Sequence, residues 1–221
     1  MTEDQWTAVD RYITDQLVPS DAALDAALAS SVANGLPAIN VAPNQGKLLH
    51  VLARSIGARR ILEVGTLGGY STIWLARALA PGGKVVTLEY EPKHAEVARA
   101  NIERAGLAHA VDIRVGKAID TLPKIAAEGG DPFDLVFIDA DKSGNADYFA
   151  WAMKLTRVGS LIIVDNVVRN GAVIDANGDA NVQGARRLCE AMAAEPRVSA
   201  TAVQTVGSKG YDGFAIAVVV K

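Results

Sequence analysis

Phe133-Asp134-Leu135-Val136-Phe137-Ile138-Asp139-Ala140-Asp141-Lys142 decides how the chain is read. Five of its first six residues are apolar, and the run then ends on two acids and a lysine. A run this short and this apolar predicts a central strand of a parallel sheet, covered on both faces. In open α/β sheets the ligand crevice lies beyond the carboxyl ends of such strands. Asp139, Asp141 and Lys142 therefore stand where chemistry is expected.

The stretches around it fit the same architecture. Strands are predicted at Arg60–Val64, Lys84–Glu89, Val111–Val115, Phe133–Asp139 and Ser160–Asp165, alternating with helices at Ser71–Leu79, Pro92–Arg104, Ile119–Ala127 and Ala146–Leu155. A polar, glycine-containing loop from Asn166 to Asn181 precedes a helix at Val182–Ala194. Strands near Val198–Thr205 and Gly213–Val220 follow. The alternation predicts an α/β fold: a Rossmann-like, doubly wound, seven-stranded and mostly parallel sheet with helices on both faces. Residues 1–57 carry helical patterns only: a first helix with Trp6, Val9, Ile13 and Leu17 on its apolar face, a break at Pro19-Ser20-Asp21, a helix Ala22–Val32, a loop Ile39–Gln45 and a helix Gln45–Ser55. A segment this small does not bury its own core. The expectation is a single domain, 1–221, with an N-terminal helical cap (1–57) on an α/β core (58–221).

Bulk properties narrow the function classes. The 221 residues carry a net charge of −3, which gives no electrostatic footprint for nucleic acid and no polybasic patch for a membrane. The lone Cys189 allows no internal disulfide, as suits a reducing compartment. No apolar run approaches a membrane span, and the acidic start, Met1-Thr2-Glu3-Asp4-Gln5-Trp6, lacks a signal-peptide core. The expected location is cytoplasmic. His50, His94 and His109 lie far apart in sequence and read as surface or packing residues, Trp74 and Trp151 as core.

Glu63-Val64-Gly65-Thr66-Leu67-Gly68-Gly69-Tyr70-Ser71 joins the first strand to its helix. Its glycines permit a tight turn and close approach of a ligand to the backbone. The Gly-x-x-Gly-Gly spacing differs from the Gly-x-Gly-x-x-Gly of a dinucleotide cradle. Glu89, ending the second strand, is placed to accept hydrogen bonds from both ribose hydroxyls. Together they favour S-adenosylmethionine over NAD.

Asp139 ends one strand and Asp165-Asn166 end its predicted neighbour. Two carboxylates and an amide oxygen, with no Cys or His, suit a hard cation: Mg²⁺, Mn²⁺ or Ca²⁺. Such a cation chelates vicinal hydroxyls and makes one of them more acidic. A lysine three residues past Asp139, close to a cation, comes into range of a general base.

Glu63–Ser71 with Glu89 resembles the cofactor site of class I S-adenosylmethionine-dependent methyltransferases. Adding Phe133–Lys142 and Val164-Asp165-Asn166 narrows the resemblance to the cation-dependent O-methyltransferases, the group of catechol and caffeoyl-CoA O-methyltransferases, from about Ile39 onward. The resemblance implies that Glu89 holds the ribose and that Gly65, Ser71 and the loop Ile39-Asn40-Val41 line the methionine end. Glu63 and Asp139 complete the cofactor site in this reading, and Gly116-Lys117-Ala118 borders the adenine. It implies Asp139, Asp165 and Asn166 as metal ligands and Lys142 as the base taking the proton from a small phenolic acceptor. Arg169, Asn170 and Tyr211 are acceptor-pocket candidates by position, and the helical N-terminus with the 167–181 loop is a candidate homodimer face. Three alternatives remain at this point: an O-methyltransferase of a tRNA hydroxy-nucleoside, which the acidic charge disfavours; a nicotinamide-dependent oxidoreductase; and a non-catalytic S-adenosylmethionine-binding protein.

Overall fold

A computed structural model describes residues 2–19 and 21–221. Ser20, part of the break read between the first two helices, lies outside the described residues. The cap comprises α1 (Glu3–Leu17), α2 (Ala22–Ala33) and α3 (Pro43–Ser55). The core runs β1 (Arg60–Val64), α4 (Tyr70–Ala78), β2 (Lys84–Glu89), α5 (Pro92–Arg104), β3 (Val111–Val115), α6 (Ala118–Glu128) and β4 (Phe133–Ile138). It continues through α7 (Asn145–Leu155), β5 (Thr156–Asp165), α8 (Ala180–Ala194), β6 (Val198–Gly207) and β7 (Gly210–Val219).

The seven strands are ordered β3-β2-β1-β4-β5-β7-β6. The first five in that order pair in parallel, while β7 runs antiparallel to β5 and to β6. The chain order reverses between β1 and β4, which makes their carboxyl ends the switch point where such sheets bind ligands. All six residues of β4 are buried. Its side chains alternate between two cores: Val136 and Ile138 pack with α6, α7 and α8, while Leu135 and Phe137 pack with α3, α4 and α5. Asp134, the one polar residue of the strand, is satisfied by the backbone N–H groups of Arg59 and Arg60, at 2.7 and 3.0 Å, and by Arg157. A charge at a strand entrance is thereby held without disturbing the apolar layers.

Two expectations are corrected in detail. β5 begins at Thr156, four residues before the predicted Ser160, because Thr156 pairs with Phe133 ahead of a register break that leaves the exposed Arg157-Val158-Gly159 without partners in β4. The periodic face of α1 packs only in part: no residue of the helix is buried, Trp6 and Ile13 are half-buried, and Val9, Tyr12 and Leu17 are 51%, 68% and 67% exposed. Polar contacts also tie α1 on, Asp10 accepting from the Asn44 side chain at 2.9 Å and from the Ser208 N–H at 2.8 Å.

Candidate active site

A cleft of about 910 Å³ opens over the carboxyl ends of the central strands. Its floor is the turn after β1. Gly65 and Gly69 take positive φ, 102° and 82°, and Leu67 follows at 49°. A Cβ on Gly65 would stand 2.4 Å from the Asp139 carbonyl oxygen, so only glycine lets the β1 turn press against the end of β4. Glu89 fastens the turn: one carboxylate oxygen accepts the Thr66 and Leu67 N–H groups at 3.2 and 2.7 Å, the other the Glu91 N–H at 2.9 Å. The same carboxylate lines the cleft, where it can also meet ligand hydroxyls.

Glu63 sits behind this floor. It is fully buried, absent from the cleft wall, and accepts hydrogen bonds from the hydroxyls of Ser71, Thr72 and Thr87. Burial pushes its carboxyl up to about 7, against the pull of the three hydroxyls. Glu63 thus acts on the cleft through Ser71, which it orients and which does line the wall. At one end the cleft is bordered by Gly116, Lys117 and Ala118, after β3, and at another by Ile39, Asn40 and the buried Val41 from the loop before α3.

The acidic end follows from strand register. Ile138 of β4 pairs with Val164 of β5, so the next residues, Asp139 and Asp165, emerge side by side, about one strand spacing (roughly 4.8 Å) apart. Lys142 donates to Asp139 across 2.6 Å. Asp165 is buried; burial first, and then the charge of Asp139, raise its carboxyl to about 7. Its oxygens accept from the Asn166 N–H at 2.8 Å and from the Gln45 side chain at 2.7 Å. Asn166 holds a left-handed φ of 57° and lines the cleft with Asp139, Asp141 and Lys142. Among the described residues no group of three or more His, Cys, Asp or Glu side chains converges as a metal cluster. The set here is two carboxylates plus an amide oxygen, and its chemistry fits a hard cation: paired acids repel unless a positive charge lies between them.

The structure therefore brings Asp139, Lys142, Asn166, Glu89, Gly65, Ser71, Gly116, Ala118, Ile39 and Val41 to one cavity, with Asp165 and Glu63 immediately behind its wall. Asp141 has structural work: it caps the 3-10 turn Lys142–Gly144 and accepts from the Ser143 hydroxyl at 2.9 Å and the Tyr148 phenol at 2.5 Å. Arg169 lines the cleft, whereas Asn170 and Tyr211 do not; the Tyr211 hydroxyl pairs with Gln204. Three participants escape the sequence reading. Gln45 and Tyr148 carry no motif, and His94, read as a surface or packing residue, lines the cleft with Nδ1 3.5 Å from Glu89. His94 could have been found from its place in the first turn of the helix after Glu89, which aims that turn at the cleft.

The family model described as O-methyltransferase matches residues 19–216. The chain belongs to the O-methyltransferase family. A catechol O-methyltransferase of Mycobacterium tuberculosis is 56% identical over 211 residues, 96% of this chain and 94% of that protein. One from Niastella koreensis is 54% identical over 220 residues, 99% of this chain and all of its own. Among solved structures, an O-methyltransferase from Bacillus cereus in complex with SAH is 59% identical, with a TM-score of 0.98 over 99% of this chain and 100% of that one. The O-methyltransferase TomG from Streptomyces achromogenes, involved in tomaymycin synthesis and in complex with SAM, is 50% identical, with a TM-score of 0.97 over the whole of both chains. The O-methyltransferase fold accounts for the switch-point cleft, and family membership removes the oxidoreductase alternative.

Proposed function

We propose that this S-adenosylmethionine-dependent O-methyltransferase acts on small catechol-type or vicinal-diol acceptors and uses a divalent cation, Mg²⁺ first among Mg²⁺, Mn²⁺ and Ca²⁺. The observation that carries the reading is the cluster at the ends of β4 and β5: Asp139, Lys142 and Asn166 on one wall, with Asp165 behind them. The catechol O-methyltransferases of similar sequence support the acceptor class. In this reading Asp139, Asp165 and Asn166 hold the cation, which supplies chelation of adjacent hydroxyls and charge stabilisation.

The chain's own residues do the rest. Glu89 and the β1 turn hold the nucleoside, and Ser71 with the Ile39–Val41 loop hold the methionine end. Ala118 closes over the base. Lys142 Nζ, 2.6 Å from Asp139, is the base in this reading: having first released a proton to solvent, the neutral amine would take the hydroxyl proton as the oxygen attacks the methyl carbon and the sulfonium leaves as a neutral thioether. Methyl transfer is an in-line displacement with no covalent enzyme intermediate, so positioning supplies most of the rate. The exposed apolar residues of α1 support a homodimer, and residues 1–57 and 58–221 act as cap and core of one domain. No helix among the described residues is long and apolar enough to cross a membrane, which accords with a cytoplasmic enzyme.

A phenol panel assayed with and without chelator tests the proposal. Catechols should be methylated with Mg²⁺ or Mn²⁺, simple monophenols should not, and excess EDTA should abolish turnover. Full activity in EDTA, or transfer to monophenols alone, contradicts it.

A further inference from the structure

Arg169 lies three residues past Asn166 on the loop leaving β5 and lines the same cleft as Asp139, Lys142 and Asn166. Three residues span at most about 11 Å of backbone, which keeps Arg169 within the length of a small aromatic acceptor from Asn166 on the same cleft. Arg169 and Asn170 hold left-handed φ values of 56° and 55°, which L-residues keep only when the surroundings enforce them. The enforcing group is Asp212: one of its oxygens accepts the N–H groups of Val168 and Arg169 at 3.0 and 2.9 Å. The Val167 N–H adds a bond to the Gly213 carbonyl at 3.0 Å. The backbone bearing Arg169 is thus pinned to β7.

The side chain, by contrast, is left with donors to spare. Its Nε is buried without a hydrogen-bond partner. The acid facing it, Asp212, stands 3.7 Å from Nη1, beyond hydrogen-bond length. Buried donors are ordinarily satisfied, and a guanidinium offers a planar fork matched to a carboxylate. The neighbouring cation at this end, Lys142, is already engaged by Asp139.

We infer that Arg169 is a specificity residue that selects acceptors carrying a carboxylate on the ring or on a short side chain, opposite the reacting hydroxyls. The inference rests on the catechol reading above. It predicts discrimination against amine-bearing catechols, whose charge Arg169 repels.

The test compares kcat/KM for 3,4-dihydroxybenzoate and for unsubstituted catechol, in the wild-type protein and in Arg169→Gln and Arg169→Lys. A charge-assisted pair in a partly buried cleft should give the carboxylated acceptor an advantage of roughly tenfold or more. Arg169→Gln should bring the ratio close to one, and Arg169→Lys, which keeps the charge but loses the fork, should leave it in between. A wild-type ratio near one, or a ratio that Arg169→Gln leaves unchanged, overturns the inference while the catechol reading stands. Methylation of neither acceptor overturns that reading and this inference with it.

Discussion

At Lys142 the 2.6 Å contact with Asp139 fixes an amine within reach of any hydroxyl presented at the strand ends. Truncating it should remove proton transfer and leave the nucleoside contacts, which come from other elements. Lys142→Ala is expected to lower kcat by about 10²–10⁴-fold, the usual worth of a positioned acid or base, with the dissociation constant for S-adenosylmethionine changed by less than about threefold. Steady-state kinetics beside calorimetry separates the two effects, and an unchanged kcat would move the base elsewhere. Glu63 makes a different prediction. Its carboxyl is raised in the folded protein to about 7 from 4.5, so the folded state binds the extra proton between those values. Its contribution to stability is then complete below pH 4.5 and is lost as pH rises through 7. Urea unfolding across pH 5–8 should show this decline, up to about 1.4 kcal/mol per pH unit from this one group, and Glu63→Gln should remove that share while the share of Asp165, also raised, remains. A slope that Glu63→Gln leaves unchanged would assign the whole decline to other groups. Neither the elevation nor its cause was legible in the sequence, because the burial that raises Glu63, and the three hydroxyls from α4 and β2 that oppose it, exist only after folding.

Among the elements, β4 was the most legible, since a six-residue run buried on both faces leaves its signature in composition alone. β1, β2, β3 and α5 also begin and end where their residues indicate. Position relative to those strands is what made Asp139, Asp165, Asn166 and Glu89 readable as site residues. α3 shows what sequence leaves out. Its first turn carries Gln45, whose side chain donates to Asp165 across 120 positions of sequence, and no local pattern announces such a contact. By this bond the cap orients a carboxylate at the strand ends. Residues that orient metal ligands typically contribute 10–100-fold to metal affinity. Gln45→Ala should therefore raise the half-saturating Mg²⁺ concentration for methyl transfer by roughly tenfold or more, while leaving kcat at saturating Mg²⁺ within a few-fold. An unchanged Mg²⁺ dependence would reduce the contact to cap docking.

On the scale of the whole molecule, α1 is where periodicity says least. The spacing of Trp6, Val9, Ile13 and Leu17 correctly marks an amphipathic helix, but periodicity does not say which chain covers the stripe. With Val9, Tyr12 and Leu17 more than half exposed, a second copy is the proposed cover. Light scattering should give twice the 23.2 kDa chain mass, falling to one chain mass in Val9→Asp/Leu17→Glu; a monomeric wild type would contradict the dimer. The site itself is also a product of the whole fold, because the β1 turn, β4, β5 and α3 each supply a part of it. Within it, Asp139, Asp165 and Asn166 are proposed to form one cation site. Electron paramagnetic resonance of Mn²⁺ titrated into the metal-stripped protein tests this without reference to turnover. One bound Mn²⁺ per chain is expected, displaced by Mg²⁺ and lost in Asp139→Ala and in Asn166→Ala. Absence of Mn²⁺ binding to the wild type, or binding that survives both substitutions, would contradict it.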